Sequence, residues 1–297
     1  VEAVIKQLDY VADAGARALA SKRSRCIGAV IPTFANAIFA DGIEAFETQL
    51  NQAGFSFMLA ASGYNAANEL TQIRTLIERG VDAIMLVGLE HDPLIYQMLS
   101  QRNIPYVLTW AYNKDSKHPC VGFNNYQAAK LIPNHLLENG HQNFAIISGI
   151  SVGNDRASDR LAGMKASLLE AGIHLHPSTV IECHYTIEEG RAACKALLHA
   201  KQPPTAILCS NDVLATGALL ECQARGVEVP AKVSIAGFDN LPISANLTPS
   251  LTTVDIPFKA MGQQAAQYLI DCLAGDSPRP QTEISVELLV RNSTAKP

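Results

Sequence analysis

The chain is sparing with charge and with aromatic surface. Of 297 residues, 17% are charged and 6% aromatic, and there is a single tryptophan. No apolar run approaches the roughly 18–20 residues of a bilayer span, so no stretch reads as a membrane helix. The opening VEAVIKQLDY has neither the basic start nor the apolar centre of a signal peptide. Seven cysteines occur with no Cys-x-x-Cys pair, and Cys183-His184 lacks a partner pair at zinc-site spacing. Reduced thiols in a cytoplasm, with no metal and no cofactor, are therefore expected. A phosphate-cradling G-x-x-x-x-G-K is missing, as is a dinucleotide fingerprint after the first strand-like run.

One enzyme-like motif is present. Gly149-Ile150-Ser151-Val152-Gly153 fits G-x-S-x-G, but a nucleophile elbow needs an acid and then a histidine later in the chain. No histidine follows His199. The expectation is a binder and not an enzyme.

What the chain has in quantity is apolar sequence, 48% of residues, enough for a globular protein of two ordinary domains. Strand-like runs at 26–31, 55–61, 83–87 and 105–109 alternate with helical patterns at 37–53, 66–79 and 92–101. A second series follows: helix 125–139, strand 143–148, helix 155–171, strand 179–182 and helix 187–199. Such alternation predicts parallel sheets covered on both faces. The series divides near residues 123–126, giving an α/β protein of two doubly wound domains.

The stretch TAILCSNDVLATGALLECQARGVEVPAKVSIAGFDN (Thr205 to Asn240) predicts a strand–helix–strand crossover. Its two strands end at Asn211-Asp212 and at Asp239, at one sheet edge, where ligands bind in open parallel sheets. Asp212 also suits a helix cap. Asp239 precedes no helix and is expected to face a ligand.

Charge is uneven. The net value is −5, yet residues 1–32 carry five basic and three acidic side chains, and Ala14 to Arg25 holds four bases and no acid. A basic stretch beside an acidic body suits a nucleic-acid arm or a solvated linker.

The phrases SNDVLATGAL, VSIAGFDN and LTPSLTTVDIP, in that order, closely resemble the lactose-repressor (LacI/GalR) family of transcriptional regulators. LDYVADAGARALASKRSRCIGAVIP resembles the family's join between DNA-binding head and core, with Ala12 and Asp13 where the connector usually has proline and asparagine. The resemblance implies a fold of periplasmic-binding-protein type with three crossovers, near 123–126, 253–256 and 284–288. It implies the end of a helix-turn-helix head plus a hinge helix over 1–25. One effector subdomain would comprise 26–124 and 256–286, the other 125–255 and 287–297. Leu19 would enter the minor groove as a wedge, with Arg17, Lys22 and Arg23 on the DNA backbone.

The resemblance also maps a pocket. Ile38 and Phe39 would offer an apolar face, and Trp110 a surface for a ring or sugar face. Trp110 precedes a polar run and is expected in the cleft, outside the deep core. Arg160 would point a donor fork at the ligand, opposite Asp239, while Tyr185 would close one side. Asn124 stands where many members have aspartate, which removes one acceptor; Asn211 completes the set. The implied partners are a small-molecule effector, operator DNA through a complete head, and a second copy in a homodimer or tetramer. A sugar or sugar acid is the expected ligand, a purine the alternative. A transporter's solute-binding protein would share this body, but would call for an export signal and no basic hinge.

Overall fold

The computed structural model describes residues 23–35 and 37–297. Arg17, Leu19, Lys22 and the expected hinge helix lie outside the described residues.

Two six-stranded sheets form. In the first, β1 (Cys26–Ile31), β2 (Ser56–Ala61), β3 (Ala83–Val87), β4 (Tyr106–Thr109) and β5 (Cys120–Gly122) lie in the order β2-β1-β3-β4-β5, with β11 (Gln281–Glu283) on the far edge. In the second, β6 (Phe144–Gly149), β7 (Val180–Cys183), β8 (Ala206–Cys209), β9 (Ser234–Asp239) and β10 (Thr252–Asp255) repeat that order as β7-β6-β8-β9-β10, closed by β12 (Glu287–Leu289). All pairings are parallel except that of β10 with β12. Strands β1, β3, β6, β8 and β9 are buried at every position, and so read as largely apolar runs. Each sheet reverses its strand order beside its first strand, which opens a crevice at the carboxyl ends.

Helices α1 (Ala40–Gln52), α2 (Ala66–Glu78) and α3 (Pro93–Gln101) cover the first sheet. The second carries α4 (Asn125–Ala129), α5 (Leu131–Glu138), α6 (Asp155–Glu170), α7 (Ile187–Leu198) and α8 (Asp212–Arg225). Helix α9 (Phe258–Ala274) follows β10 but packs on α1 in the first lobe. That contact is close: a Cβ on Gly262 would lie 2.0 Å from the Gly42 carbonyl oxygen. Side-chain caps at Asn65, Asp92, Asn124, Asn154, Thr186 and Asn211 satisfy first-turn N–H groups and fix where helices start. No helix among the described residues is long and apolar enough to cross a membrane.

Three elements differ from the sequence expectation. The helix expected over 125–139 is two helices that meet at Lys130. Pro133 has no N–H for the Ala129 carbonyl, and its ring crowds that turn. The alternation from Glu283 to Arg291 predicts a single closing strand, but the segment yields two three-residue strands in different sheets, β11 and β12. Strand β5 has no counterpart in the expectation, since three residues are too few to show a period.

Candidate ligand site between the lobes

The loops after β1, β2 and β3 meet the loops after β6 and β7 across a cleft. Two contacts join the lobes at its rim. The Leu89 N–H donates to the Asp155 carboxylate at 2.5 Å, and the Arg156 guanidinium to the Val87 carbonyl at 3.1 Å. A cavity of about 400 Å³ lies within, walled by Thr33, Gly63 and Tyr64 on one side and by Ile150, Asn154 and Tyr185 on the other. No Asp, Glu, Lys or Arg lines it among the described residues. An adjoining space of about 250 Å³ shares Tyr64 and has Glu69, Glu90, His91 and Arg156 in its wall.

Tyr185 sits where it does because Gly149 ends β6. A Cβ there would come within 2.1 Å of the Tyr185 ring, so only glycine lets the ring lie against the strand end. The first glycine of G-x-S-x-G is thereby explained by packing. Ser151 gives its hydroxyl to Glu182 at 2.5 Å, and its N–H to the same carboxylate.

Behind the tyrosines lies a buried polar cluster. Arg160, 4% exposed, donates through Nε to Asn125 Oδ1 at 2.9 Å. Through one terminal nitrogen it donates to the Ser210 carbonyl at 2.9 Å and to Asp239 at 3.1 Å. Its guanidinium carbon is 3.9 Å from the centre of the Phe238 ring, a cation–π contact out of water. The second oxygen of Asp239 is buried without a partner. Burial pushes the Asp239 carboxyl up to about 7; Arg160 pulls it down and Asp212 pushes it further up. Burial, and then the nearby Tyr185, raise the Tyr64 hydroxyl to about 12, with Arg156, Arg160 and Asp239 also acting on it. Strain gathers here too. Tyr64 (φ 57°), Trp110 (φ 61°), Asp239 (φ 114°) and Asn240 (φ 53°) occupy the left-handed region at or just after strand ends, a conformation bulky side chains avoid.

Known proteins resemble the chain over almost its whole length. A model of the periplasmic binding protein-like domain matches residues 134–294. The HTH-type transcriptional repressor PurR of Escherichia coli O1:K1 / APEC is 30% identical over 298 residues, spanning 99% of this chain and 87% of the repressor. The chain belongs to the LacI/GalR family of transcriptional regulators.

Two solved structures extend the match. The transcription regulator GntR from Chromobacterium violaceum superposes with a TM-score of 0.86 at 29% identity, covering 91% of this chain and 99% of that one. A sugar-binding LacI-family regulator from Escherichia coli, complexed with phosphate, superposes with a TM-score of 0.81 at 27% identity, covering 93% and 100%. The two lobes are thus the paired α/β domains of periplasmic-binding-protein type.

Within this LacI/GalR chain the expected pocket residues scatter over four settings. Tyr185 lines the cavity. Arg160 and Asp239 form one ion pair, and both belong to the second lobe, so they do not face each other across the cleft; Nε and one terminal nitrogen of the fork are bonded within the protein. Asn124 and Asn211 cap α4 and α8 through their side-chain oxygens; the Asn211 amide nitrogen is buried without a partner. Ile38 and Phe39 are core residues, 8% and 3% exposed.

Trp110 corrects an expectation. It is 1% exposed and packs edge-on to Phe39 and stacked with Phe258. Its left-handed backbone folds the ring inward while the polar run after it turns out. Asp212 is also reassigned. It is fully buried and accepts from the Leu241 N–H and the Ser244 and Thr253 hydroxyls, pinning the loop after β9, while Asn211 does the capping. Arg23 donates to the Leu273 carbonyl at the end of α9, at 2.8 Å. Sequence reading gave no site role to Tyr64, Asn125, Asp155 or Arg156. Tyr64 had the same signal as Tyr185, an aromatic just past a strand end.

Proposed function

We propose that this chain is the ligand-responsive core of a cytoplasmic transcriptional repressor that takes a small, neutral, ring-shaped metabolite into the cleft. The observation that carries this is the cavity between Tyr64 and Tyr185. It is bounded by both lobes, bordered by strained strand ends, and lined by no formally charged acid or base except the titratable His184. A neutral sugar suits such walls better than a sugar acid, because an anion there would lose water without gaining a cation. Tyrosine faces and hydroxyls grip sugar rings by stacking and hydrogen bonding. The free oxygen of Asp239 is the acceptor for a hydroxyl that reaches past them.

A purine is the second reading, favoured by an aromatic ring in each wall. Under either reading the protein acts by binding and not by catalysis. The Ser151 hydroxyl is given to a carboxylate, and the family's regulators work through ligand-linked closure. Closure alters how two copies present their hinges and heads to operator DNA, in a homodimer or tetramer, with Arg17, Leu19, Lys22 and Arg23 on the DNA side.

Calorimetric titration with neutral sugars, sugar acids and nucleobases tests this. The expected result is saturable binding of a neutral compound that weakens at least tenfold in Tyr185→Ala. Preference for a sugar acid, or affinity indifferent to Tyr185, would overturn it.

A further inference from the structure

We propose that Asn125 is the positioning residue through which a change at Asp239 and Arg160 is passed from the second lobe into the first. Asn125 sits at the first passage between the sheets, after β5 and at the first position of α4, and is 2% exposed. Both ends of its amide are engaged, in opposite directions. Oδ1 accepts from Arg160 Nε at 2.9 Å, and Nδ2 donates to the Trp110 carbonyl at 2.9 Å. The hydrogen bonds therefore run without a gap from Asp239 at the end of β9, through Arg160 on α6 and Asn125 at the crossing, to the end of β4.

The chemistry of that position is restrictive. The link must accept from a guanidinium and donate to a carbonyl at once. A carboxylate cannot donate and an ammonium cannot accept, so an amide of this length is what fits. The two ends are also stiff. Arg160 is fixed by Ser210, Asp239 and the Phe238 ring together, so it cannot shift without disturbing Asn125. At the other end Trp110 holds a left-handed backbone, and its ring reaches two helices. It packs on Phe39 just before α1 and on Phe258 at the start of α9, with ring carbons 2.9 Å from where a Cβ of Gly42 would lie. A displaced Trp110 carbonyl is thus felt at the first turns of both helices. The rim contacts of Asp155 and Arg156 join loops that separate when the lobes part, whereas Asn125 lies on the connection itself. The regulatory meaning of this relay rests on the cleft being the effector site; the relay itself does not.

Trp110 is the only tryptophan, so fluorotryptophan incorporation gives one ¹⁹F resonance that reports on the far end. Asp239→Asn perturbs the near end without loss of volume. The expected result is a displaced Trp110 resonance in Asp239→Asn, with no further displacement when Asp239→Asn is added to Asn125→Ala. Coupling that vanishes in such a cycle identifies a transmitting residue, which a merely structural role would not produce. Should Asn125→Ala not fold, Asn125→Asp serves, since it keeps the acceptor for Arg160 and loses the donor to Trp110. Equal displacement in both backgrounds, or none in the parent, overturns the proposal. No ligand is added, so failure to find an effector leaves this outcome unaffected.

Discussion

The two faces of the cleft are built differently. The second lobe presents a finished polar floor. Arg160, Asp239 and Asn125 are buried and bonded to one another, and Asp212 beneath them holds three donors from the loop after β9 and from β10. The first lobe offers an aromatic and small-residue wall, with Tyr64, Gly63 and Thr33 on the loops after β1 and β2 and Trp110 sealed in the core behind them. A rigid polar floor orients a ligand at low entropic cost. The wall brings no charged side chain into the 400 Å³ cavity; the charge that meets the first lobe is the Asp155–Arg156 pair, held at the rim by the Leu89 N–H and the Val87 carbonyl.

The largest effect that could break this contrast concerns Arg160. Arg160→Ala leaves Asp239 buried without its cation and should cost about 3–5 kcal/mol of stability, measured by urea denaturation. Tyr64→Ala, on the opposite face and partly buried at the cavity wall, should remain within about 1 kcal/mol of the parent. Similar losses from the two would show the lobes to be equally prebuilt.

Next comes pH. Burial raises the Asp212 carboxyl to about 6 and the Asp239 carboxyl to about 7. The folded state therefore prefers both groups protonated. Their stabilising contribution is full below the ordinary carboxylate range and is lost as pH rises through 6 and 7. Unfolding free energy should fall between pH 5 and pH 8, with Asp212→Asn removing a share on the order of 1–3 kcal/mol. A profile that Asp212→Asn leaves unchanged would mean that this floor is not proton-linked.

The smallest effect belongs to the rim. Asp155→Ala deletes the acceptor for the Leu89 N–H, a contact worth about 1 kcal/mol or somewhat more. The expected outcome is a larger radius of gyration in solution scattering with secondary structure unchanged. An unaltered radius would show that closure does not depend on that bond.

The contrast also explains what could be read from sequence. The architecture was legible because eight of the twelve strands among the described residues, β1 to β4 and β6 to β9, coincide with strand-like runs that helical periods separate, and the β9 end at Asp239 follows the strand-end rule. The polar floor was only half legible. Arg160 takes its partners from residues 125, 210 and 239, separations that no local pattern encodes, so the groups that hold its Nε and one terminal nitrogen could not be read from the sequence. Trp110 misled for a local reason. The polar residues after it mark a surface turn, but one left-handed residue sends its own side chain the other way. Strand β5 and the split of the closing segment escaped because three-residue strands carry no period.

The central claim is that the space between Tyr64 and Tyr185 receives the ligand. A crystal structure of the chain with its tightest-binding neutral compound tests this directly. The account predicts a ring between those two tyrosines with a polar group within hydrogen-bond reach of the free Asp239 oxygen. Density for the compound elsewhere, with that cavity unchanged, would contradict it.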